Sequence, residues 1–185
     1  AIRYVPNAPQ LHVTQLKIAA SGGKLSDGEG LEKEYGGMLN LPVGDTLAFR
    51  GAGIYRITPG WVDETDNGHA DTNSSSRVQA RGALLLQPLD ELSLEASYFY
   101  RELHAAAGQS VTDVQANARE GSRHATPTDT SVKLFGLRGT WNLGPADLVL
   151  LANELNLDGR MVVDLSRSLA LSSTPGSSIT RVAAY

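Results

Sequence analysis

Two sets of residues in this sequence could do chemistry. The first lies in GWVDETDNGHADTNSSS (Gly60–Ser76), which gathers Asp63, Glu64, Asp66, His69 and Asp71. Carboxylates and carbonyls suit hard cations, but an EF-hand needs ligands at alternating positions and a Glu at the twelfth, and this spacing has neither. The segment reads either as a ligand-contacting loop, with Trp61, Asp63, Asp66 and His69 as contacts, or as a solvated acidic loop. His104 and His124 stand in other polar stretches and could touch the same small molecule, a metal chelate for instance, or simply meet water. No resident metal or cofactor is expected. Asn73-Ser74-Ser75 fits a glycosylation acceptor only in its spacing and is discounted.

The second set is a series of charges that falls on one face of alternating segments: Arg50, Arg56, Arg81, Glu95, Arg101, Arg138 and Glu154. They suit the wall of a water-filled lumen. A sharper reading is that some of them line the path of an anion, since the Arg fork grips carboxylate or phosphate with two hydrogen bonds. No nucleophile, base and orienting group come together in sequence, and no Gly-x-Ser-x-Gly elbow occurs, so no enzyme is expected. Gly51-Ala52-Gly53 lacks the third glycine and the strand-to-helix turn of a dinucleotide loop.

The elements that must hold these charges are strands. Apolar residues recur with period two. In Thr46–Arg56 one face carries Leu47, Phe49, Gly51, Gly53 and Tyr55, and the other Ala48, Arg50, Ala52, Ile54 and Arg56. Similar divisions run through Val78–Gln87, Leu92–Arg101 and the stretch around Phe135. Short turns at Pro42–Asp45, Pro88–Glu91 and Gly144–Asp147 have the Gly, Pro and Asp that tight turns favour. Between them lie long polar stretches, Ser21–Glu32, Pro59–Ser76, Ala105–Asp129 and Asp158–Ser177. Structureless loops of this length are unusual in a compact soluble domain. Strands of about 9–11 residues joined alternately by short turns and long loops are the plan of an outer-membrane barrel. Tyr35, Tyr55, Tyr98 and Tyr100 then fall at the outer membrane interface and Trp141 at the inner one, where amphipathic rings favour both surroundings.

Composition excludes several classes. The 185 residues include no Cys, which removes disulfide scaffolds, Cys-ligated zinc and Cys nucleophiles. A net charge of −4 speaks against nucleic acid as partner. No apolar run is long enough for a transmembrane helix, and the first residues do not read as a signal peptide.

Beyond this pattern, the opening AIRYVPNAP (Ala1–Pro9) followed by a strand at His12–Ala20 resembles the plug-to-barrel junction of TonB-dependent outer-membrane receptors. GGMLNLPVGDTLAFRGAGIYRITPGWVDE (Gly36–Glu64) is similar to the second and third barrel strands of that family, and SRVQARGALLLQPLDELSLEASYFY (Ser76–Tyr100) to the next hairpin. The resemblance implies an all-β fold, an antiparallel transmembrane β-barrel of which this chain holds an incomplete part, about eight strands of 22. Residues 1–10 would be the last plug strand and junction, and 11–185 the N-terminal part of the barrel. It also implies the bacterial outer membrane, lipid around the barrel, uptake of a scarce nutrient such as an iron–siderophore complex, and contact with the TonB complex through a plug segment this sequence lacks. Two other expectations stand beside it. One is a self-contained eight-stranded barrel with a structural or adhesive role, although a last strand starting at Ser178 would fall short of the 9–11 residues needed to cross. The other is a soluble β-sandwich that binds a partner through its loops.

Overall fold

The computed structural model describes residues 6–26, 28–64, 68–107, 118–119, 126–164 and 182–184. The described residues contain strands and no helix. The strands are β1 (Gln15–Lys24), β2 (Leu31–Val43), β3 (Leu47–Thr58), β4 (Asp63–Glu64), β5 (Ser75–Leu89), β6 (Leu92–Ala105), β7 (Ala118–Arg119), β8 (Thr128–Asn142), β9 (Asp147–Val163) and β10 (Val182–Ala184). Eight of them form one antiparallel sheet in the order β1-β2-β3-β5-β6-β8-β9-β10, so each long strand pairs with the next long strand in sequence. The short β4 and β7 pair separately and in parallel. Among the described residues the sheet is open, with β1 and β10 as its two edges.

Tight turns set the hairpins. Gly44 (φ 65°) turns β2 into β3, and Gly144 (φ 88°) turns β8 into β9, both in the left-handed region that costs a side chain about 1–2 kcal/mol. The second of these turns is closed by Leu143 N–H donating to Ala146 O and by Gly144 N–H donating to Asn142 Oδ1. Between β5 and β6 the register shifts from Leu86 to Leu89, and Pro88, which has no N–H to offer a ladder, sits within the irregularity.

Register sorts the side chains into two faces. Tyr35, Leu39, Leu41 and Val43 of β2 share a face with Phe49 and Tyr55 of β3, Val78, Leu84 and Leu86 of β5, Leu94 and Tyr98 of β6, and Phe135, Leu137 and Trp141 of β8. This apolar face is uncovered: Leu84 is 47% exposed, Tyr98 46% and Trp141 47%. The opposite face carries Glu32, Glu34, Asn40, Arg50, Arg56, Arg77, Arg81, Glu95, Arg101 and Arg138. Among the described residues the buried hydrophobic side chains are only Ala48, Val62, Ala83 and Ala107. A water-soluble sheet covers its apolar face with a second layer. Here no second sheet packs on it among the described residues.

The apolar face has an oblique upper edge. It ends at Tyr35 on β2, below Lys33, at Tyr100 on β6, below Glu102, at Phe135 on β8, below Lys133, and at Ala152 on β9, below Glu154. The register row through Tyr35 runs by way of Tyr55, Val78, Glu102 and Ser131 to Asp158, six residues above Ala152 and five strands away.

Several strands exceed their sequence-based spans. β1 runs on through Ser21–Lys24, pairing with Leu31–Glu34, and β9 runs on to Val163. The β1 extension carries polar or small residues on both faces, and the β9 extension carries Asp158, Gly159 and Arg160 before the unbroken run Met161, Val162 and Val163, so neither has an apolar alternation to announce it. At the other end His12 lies in a turn with φ 63°, and β1 begins at Gln15.

Candidate functional site

The N-terminal segment lies on the polar face, and one side chain fastens it there. Asn40 is fully buried. Its Oδ1 accepts from Gln10 N–H at 2.9 Å, and its Nδ2 donates to the carbonyls of Gln10 (2.9 Å) and Val13 (2.6 Å). Pro9 is buried beside this clasp. Farther along, Arg81 Nη1 donates to Asn7 O at 2.7 Å, and Nη2 of the same guanidinium lies 3.3 Å from Glu95 Oε1.

Of the charges read as lumen-lining, Arg50, Arg56, Arg81, Glu95, Arg101 and Arg138 share this face. Arg56 Nε sits between Glu32 Oε1 (3.0 Å) and Glu34 Oε2 (2.8 Å), near the loop end of β2 and β3. These groups are each about a third exposed, so water screens much of the attraction. Glu154 departs from the expectation. It stands opposite Phe135, on the apolar face just above the apolar edge. The cause is β9 itself, which has leucines on both faces (Leu148 and Leu150 against Leu151, Leu155 and Leu157), so its alternation does not reveal which side Glu154 takes. Consequently, the polar face changes character across the sheet. Phe99, Leu103, Val132, Leu134, Leu155 and Leu157 make its β6–β9 side apolar.

A cavity of about 420 Å³ opens on the polar face between the N-terminal segment and β1, β2, β3, β5 and β6. Its lining includes Asn7, Lys17, Arg50 and Arg81, with Met38, Ile54 and Phe99. One register row carries Lys17, Met38, Ala52, Arg81 and Phe99 across five strands, and Arg50 stands two residues away from Ala52 on β3.

The loop residues assemble differently from an open ion site. Asn73 is buried, and its Oδ1 accepts from the N–H groups of both Trp61 (2.8 Å) and Val62 (2.9 Å). Thr72 returns both its N–H and its hydroxyl to Val62 O. Asp63 Oδ1 accepts from Asp71 N–H within the loop, and Asp71 Oδ2 accepts from Glu29 N–H in the β1–β2 connection, so these two carboxylates serve backbone groups. His69 is exposed and pairs through its backbone with Glu64. His104 is distant in sequence and lies beside Asp129 across β6 and β8, above the apolar edge. Asp66 and His124 lie outside the described residues. Among the described residues no group of three His, Asp or Glu could hold a metal ion.

Sequence reasoning missed Asn40, Glu32, Glu34 and Lys17. Glu32 and Glu34 alternate with Lys33 just ahead of Tyr35, and that alternation is a signal for one shared face. Asn40 gives none, because its partners are backbone carbonyls that no side-chain pattern encodes.

No protein-family model, curated protein or solved structure matches the chain.

Proposed function

We propose that this chain is an arc of an outer-membrane β-barrel, its apolar face against lipid and its polar face lining a wet lumen. The carrying observation is the inverted layering: large apolar side chains on an uncovered face and, among the described residues, no buried hydrophobic larger than Val62. The oblique apolar edge supports the same reading. Six residues over five strand-to-strand steps, at about 3.3 Å and about 4.8 Å each, corresponds to a strand tilt of about 40°. Membrane barrels tilt their strands by roughly 35–45°. The nine positions from Tyr35 to Val43 at that tilt span about 23 Å, against an apolar band of about 25 Å in such barrels. Tyr35 and Tyr100 stand at the upper edge, Tyr55 pairs with Tyr35 two residues below Ile57, and Trp141 lies near the lower turn, as interfacial anchoring requires.

The specific assignment is a TonB-dependent receptor that takes up a scarce nutrient, an iron–siderophore complex being the type of ligand. Its support is the resemblance of the junction and first hairpins, together with an N-terminal segment clasped to the lumen side by Asn40 and Arg81. The eight strands of the sheet favour a second reading, a self-contained small barrel. That reading needs β1 to pair with the last strand, whereas β1 and β10 are opposite edges.

Refolding the chain into detergent micelles and lipid vesicles tests the barrel assignment. Protease protection of β2–β9 is expected at high protein-to-lipid ratio, and full digestion in vesicles at every ratio would overturn it. Reading the gene on both sides of the chain tests the receptor assignment. A glycine-rich plug region upstream and further hairpins downstream are expected. A signal peptide directly before Ala1 with a stop after Tyr185 would overturn it.

A further inference from the structure

We propose that the cavity between the N-terminal segment and the polar face binds a small organic anion, a carboxylate or phosphate attached to an apolar body. The inference rests on the lumen reading above and names the ligand chemistry of that wall.

The charge of the cavity is one-sided. Among the described residues Lys17, Arg50 and Arg81 line it and no carboxylate does, in a chain whose net charge is −4. The three cations are not equivalent. Arg81 is already engaged by Glu95 and by the Asn7 carbonyl. Lys17 and Arg50 have neither a hydrogen bond nor an ion pair among the described residues. On the same face Arg56 has Glu32 and Glu34 beside it and Arg81 has Glu95, whereas the cavity's other two cations have no acid next to them. Two unneutralised cations beside a low-dielectric wall concentrate field in the recess and draw in counter-charge. Of the two, Arg50 offers the planar fork that fits carboxylate or phosphate, and Lys17 adds a point charge one side of it.

The rest of the lining fixes the other half of the ligand. Met38, Ile54 and Phe99 face the same space, so a bare inorganic anion would leave apolar wall against water. A volume of about 420 Å³ falls in the range of small-molecule sites, roughly 300–1,000 Å³, and is too small for a folded partner. Asn7 and Pro6 close one side of the recess, so the N-terminal clasp is part of the site and not merely next to it.

The test uses the full chain refolded in detergent micelles, with titration calorimetry at low salt. The probes are phenyl phosphate, inorganic phosphate and benzylamine. Phenyl phosphate is expected to bind, with benzylamine silent and inorganic phosphate at least about tenfold weaker. Arg50→Gln and Lys17→Gln, made separately, should each weaken phenyl phosphate by about tenfold, while Lys33→Gln on the apolar-face side leaves it unchanged. Protease protection of each variant in vesicles reports that it still folds. Equal binding of benzylamine or of inorganic phosphate would overturn the proposal. So would retention of binding in both Gln variants, or absence of binding to a protease-protected wild type, which would leave an acidic protein segment as the occupant. Loss of protease protection in the wild-type chain at every protein-to-lipid ratio would instead refute the barrel reading, so the two failures are distinguishable.

Discussion

At the scale of single residues, Asn40 does the most with the least. One side chain satisfies an N–H and two carbonyls of the N-terminal segment while fully buried. Asn40→Ala leaves those three backbone groups without their partner, at a cost of about 1–3 kcal/mol for each that water cannot reach. Asn40→Asp is nearly isosteric but cannot donate, and sets a carboxylate against the carbonyls of Gln10 and Val13, so it should be worse. Hydrogen exchange over residues 7–14 checks both: protection falls in the Ala variant and falls further in the Asp variant, whereas equal protection would show that the clasp contributes nothing. The residue was not legible in the sequence because it lies between Leu39 and Leu41 in a plain alternating strand, and the segment it holds is 30 residues away. The loop acids left two readings open for a related reason. Asp63 and Asp71 look like an ion site on paper, but the turn at Asp71 (φ 55°) brings its N–H to Asp63 Oδ1, so one oxygen of that carboxylate serves the loop's backbone.

At the scale of elements, alternation carried nearly all the readable information. β3, β5 and β6 alternate with few apolar exceptions on the polar face (Ile54, Leu85, Phe99 and Leu103), and their faces follow from sequence because a one-residue slip would move every side chain to the other face. β9 has leucine on both sides, and only pairing with β8 assigns them. The two faces make opposite demands, which gives a direct test. Leu84→Arg puts a charge in the middle of the apolar band and should destabilise the vesicle-inserted protein by about 2–4 kcal/mol. Gln79→Lys, on the polar face of the same strand, should cost little. Urea unfolding in vesicles measures both, and equal behaviour would mean the faces are not differently solvated. The hairpins carry a smaller prediction. Gly144→Ala must hold a Cβ at φ 88°, costing about 1–2 kcal/mol, detectable in the same unfolding experiment.

At the scale of the molecule, a sheet with two unpaired edges and an uncovered apolar face is in conflict with water. β1 exposes Leu16 (65%) and Ile18 (81%) at one edge, together with a row of unpaired backbone groups. Such an edge templates pairing with any other strand, and the apolar face adds a non-specific attraction. In plain buffer the chain should therefore associate, and sedimentation should find no monomer that melts cooperatively. Lipid removes only half of the conflict. It solvates the apolar face, but an open edge in hydrocarbon leaves backbone groups without partners at several kcal/mol each, so stable insertion needs the edges to be paired. Two chains meeting edge to edge, or further strands, would meet that need. Insertion should therefore rise steeply with protein-to-lipid ratio and should favour short-chain lipids, whose thinner core matches a band of about 23 Å with less distortion. Protease protection measured across protein-to-lipid ratios and acyl-chain lengths separates these causes. A dependence on chain length alone would mean that each arc closes on itself, and a cooperative monomer in buffer would mean that the apolar face never meets lipid.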